Sequence, residues 1–191
     1  MRPRVLWRPS AAAMTGTDMG RFATECSQRS GLDLDDYDKL WRWSVTDLAG
    51  FWSSVVDQFE VELGGDTDTV LTGDSMLNTR WFPGATVNYA QHALTDRFPD
   101  GALAIISESQ MWGHAQLTRG ELRRKVAQFQ DSLRGLGLGR GDAVAAYLPN
   151  IPETIIAFLA CAGLGIKWSS CAPEFGVKAV VDRLGQFQPK L

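Results

Sequence analysis

From residue 101 onward the chain alternates short apolar runs with helical patterns, and glycines stand between them. ALAIIS at 102–107 reads as a strand. Thr118 and Glu121 form a capping box for a helix bearing Leu122, Val126, Phe129, Leu133 and Leu136. Gly135, Gly137, Gly139 and Gly141 stop that helix and turn the chain. AVAAYL at 143–148 predicts the next strand, and Pro152 suits the first turn of a helix through Ile155, Ile156, Leu159 and Ala160. Gly163 and Gly165 end it. IKWSS at 166–170 predicts a third strand, and a last helix spans 177–184. A β-α-β-α-β-α series is the pattern of a parallel sheet with helices packed on its faces. The expected fold class is therefore α/β, the start of a parallel β-sheet subdomain with flanking helices. The final GQFQPKL, at 185–191, reads as the loop before a buried strand, with Leu191 as that strand's first apolar residue. The expectation is that this chain is the N-terminal part of a longer fold.

The first hundred residues have another texture, helical and irregular. Five of the seven tryptophans, Trp7, Trp41, Trp43, Trp52 and Trp81, lie in them, so this region needs a large apolar partner. The clearest helix is predicted to begin at Ser44, with Asp47 three residues on to complement the free amides. Leu48, Phe51, Trp52, Val55, Val56 and Phe59 then recur on one face, and the second half of the chain is the expected partner of that stripe. Asp35, Asp36 and Asp38 with Lys39 read as a solvated helix start. Residues 60–80 are polar and rich in Gly, Asp and Thr, a surface connector with one short strand. Pro83 and Gly84 signal a turn, and Asn88 starts a short helix carrying Tyr89, Ala93 and Leu94. The expected division is a helical N-terminal cap region over 1–100 and the sheet-forming region over 101–191. No internal repeat or low-complexity tract is evident.

Length and charge narrow the function. A chain of 191 residues holds one domain, or a small domain with part of another. The formal net charge of -3 implies no general affinity for nucleic acid or anionic membrane. No apolar run approaches the roughly 18 residues that a membrane span needs. The start carries Arg2, Arg4 and Arg8 without an apolar core, so it is no secretory signal. Its first acid is Asp18, which leaves an organellar transit peptide as the alternative to a surface-lying chain start. Cys26, Cys161 and Cys171 show no paired spacing, which argues against a disulfide framework or a zinc site. A reducing cytoplasm is the expected location.

Few features carry chemistry by spacing alone. GLGLGRGD at 135–142 looks like a dinucleotide loop, yet it follows a helix and enters a strand, the reverse of what that loop requires. Its third required glycine falls on Arg140 or Asp142. No G-x-x-x-x-G-K-[ST] loop occurs. His92 and His114 have no Cys or His partner at helix or hairpin distance, so no metal is expected on them. Ser169 and Ser170 stand at a predicted strand C-terminus, where open α/β sheets bind ligands, but without the G-x-S-x-G elbow of a nucleophile. SSCAPEFG at 169–176 combines small residues, a stiffening proline, an acid and an aromatic, suited to walling a narrow channel. An ordinary strand-to-helix loop accounts for the same residues.

Taken in order, YDKLWRWSVTDLAGFW, RWFPGATVNYAQ, LTRGELRRKVAQF, GRGDAVAAYLPNIPE and KWSSCAPEFGVKAVVDRLGQFQPKL closely resemble the N-terminal part of the acetoacetyl-CoA synthetase family, within the adenylate-forming superfamily. The resemblance runs from about Trp7 to Leu191. It implies that 1–100 is an acetyl-CoA-synthetase-type N-terminal region and 101–191 the first part of an AMP-binding domain. It implies a two-step ligation of acetoacetate, ATP and CoA to acetoacetyl-CoA, AMP and pyrophosphate through an acyl-adenylate, with Mg2+ and fixed donors stabilising phosphate charge. The family's Ser/Thr/Gly-rich phosphate loop, ribose-binding Asp and catalytic Lys match nothing in these 191 residues. By the resemblance, the chain alone is expected to be inactive, with no catalytic or metal-binding residue of its own and no cofactor held tightly. The loop at 169–176 matches the position near the CoA tunnel of related synthetases, which implies a CoA-lining role for Ser169, Ser170, Glu174, Phe175 and Gly176. Two alternatives stay open: a synthetase for another short acid such as acetate or propionate, and a non-catalytic module that binds CoA or another chain.

Overall fold

Short polar side chains set most of the helix starts. The computed structural model describes residues 6, 7 and 9–191, so Arg2, Arg4 and Arg8 of the arginine-bearing start lie outside the described residues. The chain divides into two compact units, Met1–Val87 and Asn88–Leu191.

In the first unit, α1 (Ala11–Gly16) leads to α2 (Asp18–Ser30). Thr17 caps α2 by accepting the Gly20 amide at 3.2 Å. The helix stops at Gly31, whose φ of 71° is the left-handed conformation that glycine adopts without a Cβ clash. Next, α3 (Tyr37–Thr46) is capped by Asp36, which accepts the Lys39 amide at 2.8 Å. The Lys39 ammonium bridges Asp33 and Asp35, so the acidic run is the solvated helix start its composition suggests.

The helix expected from Ser44 begins elsewhere. Ser44 lies inside α3, where its hydroxyl donates to the Trp41 carbonyl at 2.7 Å. The break falls at Asp47, which caps α4 (Leu48–Gln58) by accepting the Gly50 amide at 3.0 Å. Trp43 Nε1 donates to the other Asp47 oxygen at 3.1 Å. A carboxylate reached by both an amide and an indole outcompetes a hydroxyl that can bond back into its own helix.

The aromatic stripe of α4 also finds its partner nearer than expected. Phe22, Cys26, Leu34, Leu40 and Trp43 form a buried cluster, and Phe51 and Val55 pack against it. The Phe51 ring meets Phe22, Trp43 and Trp52 edge-on at centroid distances of 5.7, 5.4 and 5.5 Å. Leu48, Trp52 and Phe59 remain exposed. The connector expected at 60–80 holds two two-residue strands and the start of a third rather than one, and a fourth follows at 85–86. β1 (Gly64–Gly65) pairs antiparallel with β4 (Ala85–Thr86), and β2 (Leu71–Thr72) with β3 (Arg80–Trp81).

The second unit opens with α5 (Tyr89–Ala93), whose cap Asn88 accepts the Ala90 and Gln91 amides at 3.0 and 3.2 Å. The Asn88 side-chain amide also donates to the Ala162 carbonyl at 3.1 Å. β5 (Leu103–Ser109) and β6 (Gly113–Thr118) then form an antiparallel hairpin, turning at Gly113 with φ 69°. The sequence reading supplied β5 but not β6, so β5 pairs locally instead of joining a parallel series. GHAQLT of β6 is mostly exposed, and its only conformational instruction is the ladder offered by β5.

α6 (Arg119–Gly135) starts with the expected capping box. Thr118 Oγ1 accepts the Glu121 amide at 3.2 Å, while Glu121 accepts the Thr118 amide at 2.9 Å. Leu136, expected on the apolar face of this helix, lies one residue past its end and is 66% exposed. β7 (Ala143–Tyr147), α7 (Pro152–Gly163) and β8 (Lys167–Cys171) follow, and β7 and β8 pair in parallel from Ala143–Lys167 to Tyr147–Cys171. α8 (Val177–Gly185) completes the elements.

The core of this unit joins Leu122, Val126 and Leu133 of α6 to Ile156, Leu159, Ala160 and Cys161 of α7, with Val144 and Ile166 beneath them. On the β7 edge away from β8, the Lys190 amide donates to the Ala143 carbonyl and the Ala145 amide donates to a Leu191 oxygen, both at 2.8 Å. The GQFQPKL segment thus leads from α8 to a position alongside β7, as a strand-entering loop would. The observed arrangement is a mixed one, helices with small sheets, in which β7 and β8 supply the parallel pairing.

Candidate functional site

The segment singled out for chemistry lies between β8 and α8. Consecutive strand residues face opposite sides, so β8 splits the two serines. Ser169 shares a face with Cys171 and with Tyr147 of β7, whereas Ser170 shares the Trp168 face and is exposed. Only one of the two can therefore address a ligand on a given side of the strand pair.

Beyond Cys171 the chain turns through 172–176. The Phe175 amide donates to the Ala172 carbonyl at 3.2 Å, a tight turn around Pro173. Glu174 is exposed and Phe175 is half-buried. Gly176 caps α8 through extended backbone, with φ -64° and ψ 150°, and no side-chain bond. Two residues absent from the sequence reading hold this turn. The Tyr147 hydroxyl lies 2.6 Å from the Pro173 carbonyl oxygen and 2.8 Å from that of Phe175. The Arg183 guanidinium of α8 sits 4.7 Å from the Phe175 ring centroid. A tyrosine closing a strand, next to a Pro-Asn turn, was the available signal for the first; nothing in the local pattern marked the second.

Elsewhere, each of the two histidines has a neighbour close by in sequence. His114 Nδ1 lies 2.5 Å from Glu108 Oε1 across the hairpin, and His92 Nδ1 lies 3.4 Å from an Arg97 nitrogen. Cys161 is fully buried, and burial pushes its thiol up to about 11, far from a nucleophile's range. Among the described residues, no group of three or more His, Cys, Asp or Glu side chains is placed to hold a metal ion. Within the described residues, no helix is long and apolar enough to cross a membrane. What the segment 169–176 offers is one exposed hydroxyl, one exposed carboxylate and one half-buried aromatic ring, at the C-terminal end of parallel strands.

Two parallel strands joined through a packed helix put this loop at their C-terminal ends, the edge at which open α/β sheets in general bind ligands. Comparison with known families sharpens this. A family model described as AMP-binding enzyme matches residues 91–191, more than half of the chain, and one described as acetyl-coenzyme A synthetase N-terminus matches residues 37–93. The chain belongs to the AMP-binding enzyme family. It is 39% identical over 188 residues to the acetoacetyl-coenzyme A synthetase of Rhizobium meliloti, covering 98% of this chain and 29% of that one. It is 36% identical over 193 residues to the acetoacetyl-CoA synthetase of Danio rerio, covering 100% of this chain and 28% of that one. Among solved structures, the acetoacetyl-CoA synthetase from Streptomyces lividans superimposes with a TM-score of 0.91 at 40% identity, covering 98% of this chain and 29% of that one. The chain thus spans under a third of the length of the relatives it matches.

Proposed function

We propose that these residues serve an ATP-dependent acetoacetate–CoA ligase, as the part corresponding to the N-terminal stretch of such synthetases. The observation that carries this reading is a whole-chain likeness, in sequence and in fold, to proteins of that name. The reaction joins acetoacetate and CoA and converts ATP to AMP and pyrophosphate. In it, CoA supplies the thiol that takes up the activated acyl group. The proposed division is an N-terminal region over 1–100 and the first part of the AMP-binding domain over 101–191. The proposed location is the cytoplasm.

Within this assignment the chain's own residues bind and orient. The core between α6 and α7 fixes β7 and β8, and the strands fix the wall at 169–176. That wall fits a pantetheine arm, a narrow chain of amides and methylenes. Ser170 presents a hydroxyl, Phe175 an aromatic surface and Glu174 a charge at the rim. Gly176 completes it, while Ser169 faces the other side of β8. No residue of these 191 is assigned to ATP, to Mg2+ or to a chemical step.

ATP–pyrophosphate exchange tests the reading. The 191-residue polypeptide is expected to give no acetoacetate-dependent exchange above background. The product of the complete reading frame is expected to give exchange that depends on acetoacetate and exceeds that with acetate or propionate. Exchange by the 191-residue polypeptide, or a preference for acetate or propionate in the complete product, overturns the assignment.

A further inference from the structure

Tyr147 and Arg183 grip one turn from two elements. Tyr147 pairs with Cys171 in the parallel register, so its ring leaves the strand pair on the side from which the turn departs. A phenol carries one proton, yet the hydroxyl lies within hydrogen-bond distance of two carbonyl oxygens, those of Pro173 and Phe175. The proton is shared between them, and the main chain of 173–175 is held at both ends. On the other side, Arg183 holds the Phe175 side chain by lying over its ring. Inside the turn, a single backbone bond at 3.2 Å, from the Phe175 amide to Ala172, opposes opening. At Gly176 an added Cβ would meet nothing within 4 Å, so the turn is not wedged in place by packing there. Its geometry is set by the two outside holds.

We propose that Tyr147 is a positioning residue which, with Arg183, fixes residues 173–175 in the shape that admits CoA. This rests on the assignment of the 169–176 wall to CoA made above. Tyr147 acts through the turn and touches no reacting atom. Losing its hydroxyl frees the two carbonyls to turn outward and narrows or blurs the wall, which weakens CoA capture without touching acid activation.

Two readouts separate the parts of this inference. In the 191-residue chain, Tyr147→Phe and Arg183→Gln are each expected to accelerate hydrogen exchange of the Phe175 amide, which bonds to Ala172 within the turn, several-fold, on the order of one lost hydrogen bond, and to leave the α6 amides unchanged. In the complete ligase, each is expected to raise KM for CoA about fivefold and leave the acetoacetate-dependent pyrophosphate exchange, which needs no CoA, at its wild-type rate. Unchanged exchange of the Phe175 amide overturns the clamp. Faster amide exchange with an unchanged KM for CoA overturns the functional half. A parallel fall in pyrophosphate exchange shows general damage and also overturns it. If the complete wild-type protein shows no acetoacetate-dependent activity, the ligase reading fails by itself, and the amide measurement decides the clamp alone. Should Tyr147→Phe fail to fold, Arg183→Gln carries the same test from the opposite side of the turn.

Discussion

Asp142 shows how much one side chain can organise. Its carboxylate accepts the Gly139 amide at 2.9 Å and pairs with the Lys190 ammonium. The bond from Lys190, followed by the one from Gly139, holds its carboxyl below the ordinary value of 3.8. A carboxyl with a lowered folded pKa adds stability above its unfolded pKa, and that addition is lost as pH falls through the folded value. Asp142→Asn is therefore expected to lower the melting temperature at about pH 6, with the difference from wild type closing as the pH falls below the ordinary carboxyl value of 3.8. Thermal melts across that range check it; a difference that stays constant to the acid end would exclude the charge as its source. Because the Lys190 side chain is 62% exposed, added salt should shrink the neutral-pH difference as well. In the sequence, Asp142 stood out only as the residue that spoils a glycine motif. Its partner Lys190 is 48 positions away, and no local pattern links the two.

Among the elements, the caps were the most legible feature and also the place of one error. Thr118 and Glu121 close their box as the spacing requires, because both partners lie within a single turn. Thr118→Ala is expected to cost about 1 kcal/mol of stability, measured by urea unfolding, and Thr118→Ser to restore most of it. An unchanged midpoint for Thr118→Ala would mean that tertiary packing alone holds the start of α6. At the α3–α4 junction, Ser44 and Asp47 were both acceptable caps by local chemistry. The Trp43 indole decided between them by donating to Asp47. The hairpin strand β6 was illegible for a different reason. Its residues are polar and exposed, and a strand of that kind exists only because β5 offers backbone partners along its length. The candidate loop was half legible: its composition was read as a turn, which the Phe175–Ala172 bond shows, while its holds at Tyr147 and Arg183 come from other elements.

For the molecule as a whole, the separation into two units agrees with two distinct buried clusters, one around Trp43 and one around Leu133. Leu133 is 1% exposed and sits where α6 meets the rest of the second core. Leu133→Ala is expected to destabilise the second unit by about 3 kcal/mol, from the three lost carbons plus the cavity left behind. Denaturant titration measures it; a loss under about 1 kcal/mol would show that the site collapses and that the core is looser than its burial implies. The edge of β7 illustrates organisation at the same scale. One side of this strand pairs with β8 and the other receives residues 190–191, so a five-residue strand draws bonds from segments on both sides of it.

The sequence by itself determined the helix and strand periods of residues 101–191 apart from β6, most of the capping chemistry, and the likeness of ordered segments to one enzyme family. These are properties of neighbouring residues, and neighbours along the chain are close in any conformation. Tertiary structure alone decided that β5 would pair with β6, that Phe51 and Val55 would pack on a cluster in their own unit, that Ser169 and Ser170 would face apart, and that Tyr147 and Arg183 would grip one turn. Each of these is a pairing between distant residues, or a choice of face. Such pairings depend on which surfaces remain unburied once the local elements have formed, and a linear pattern carries no record of that competition.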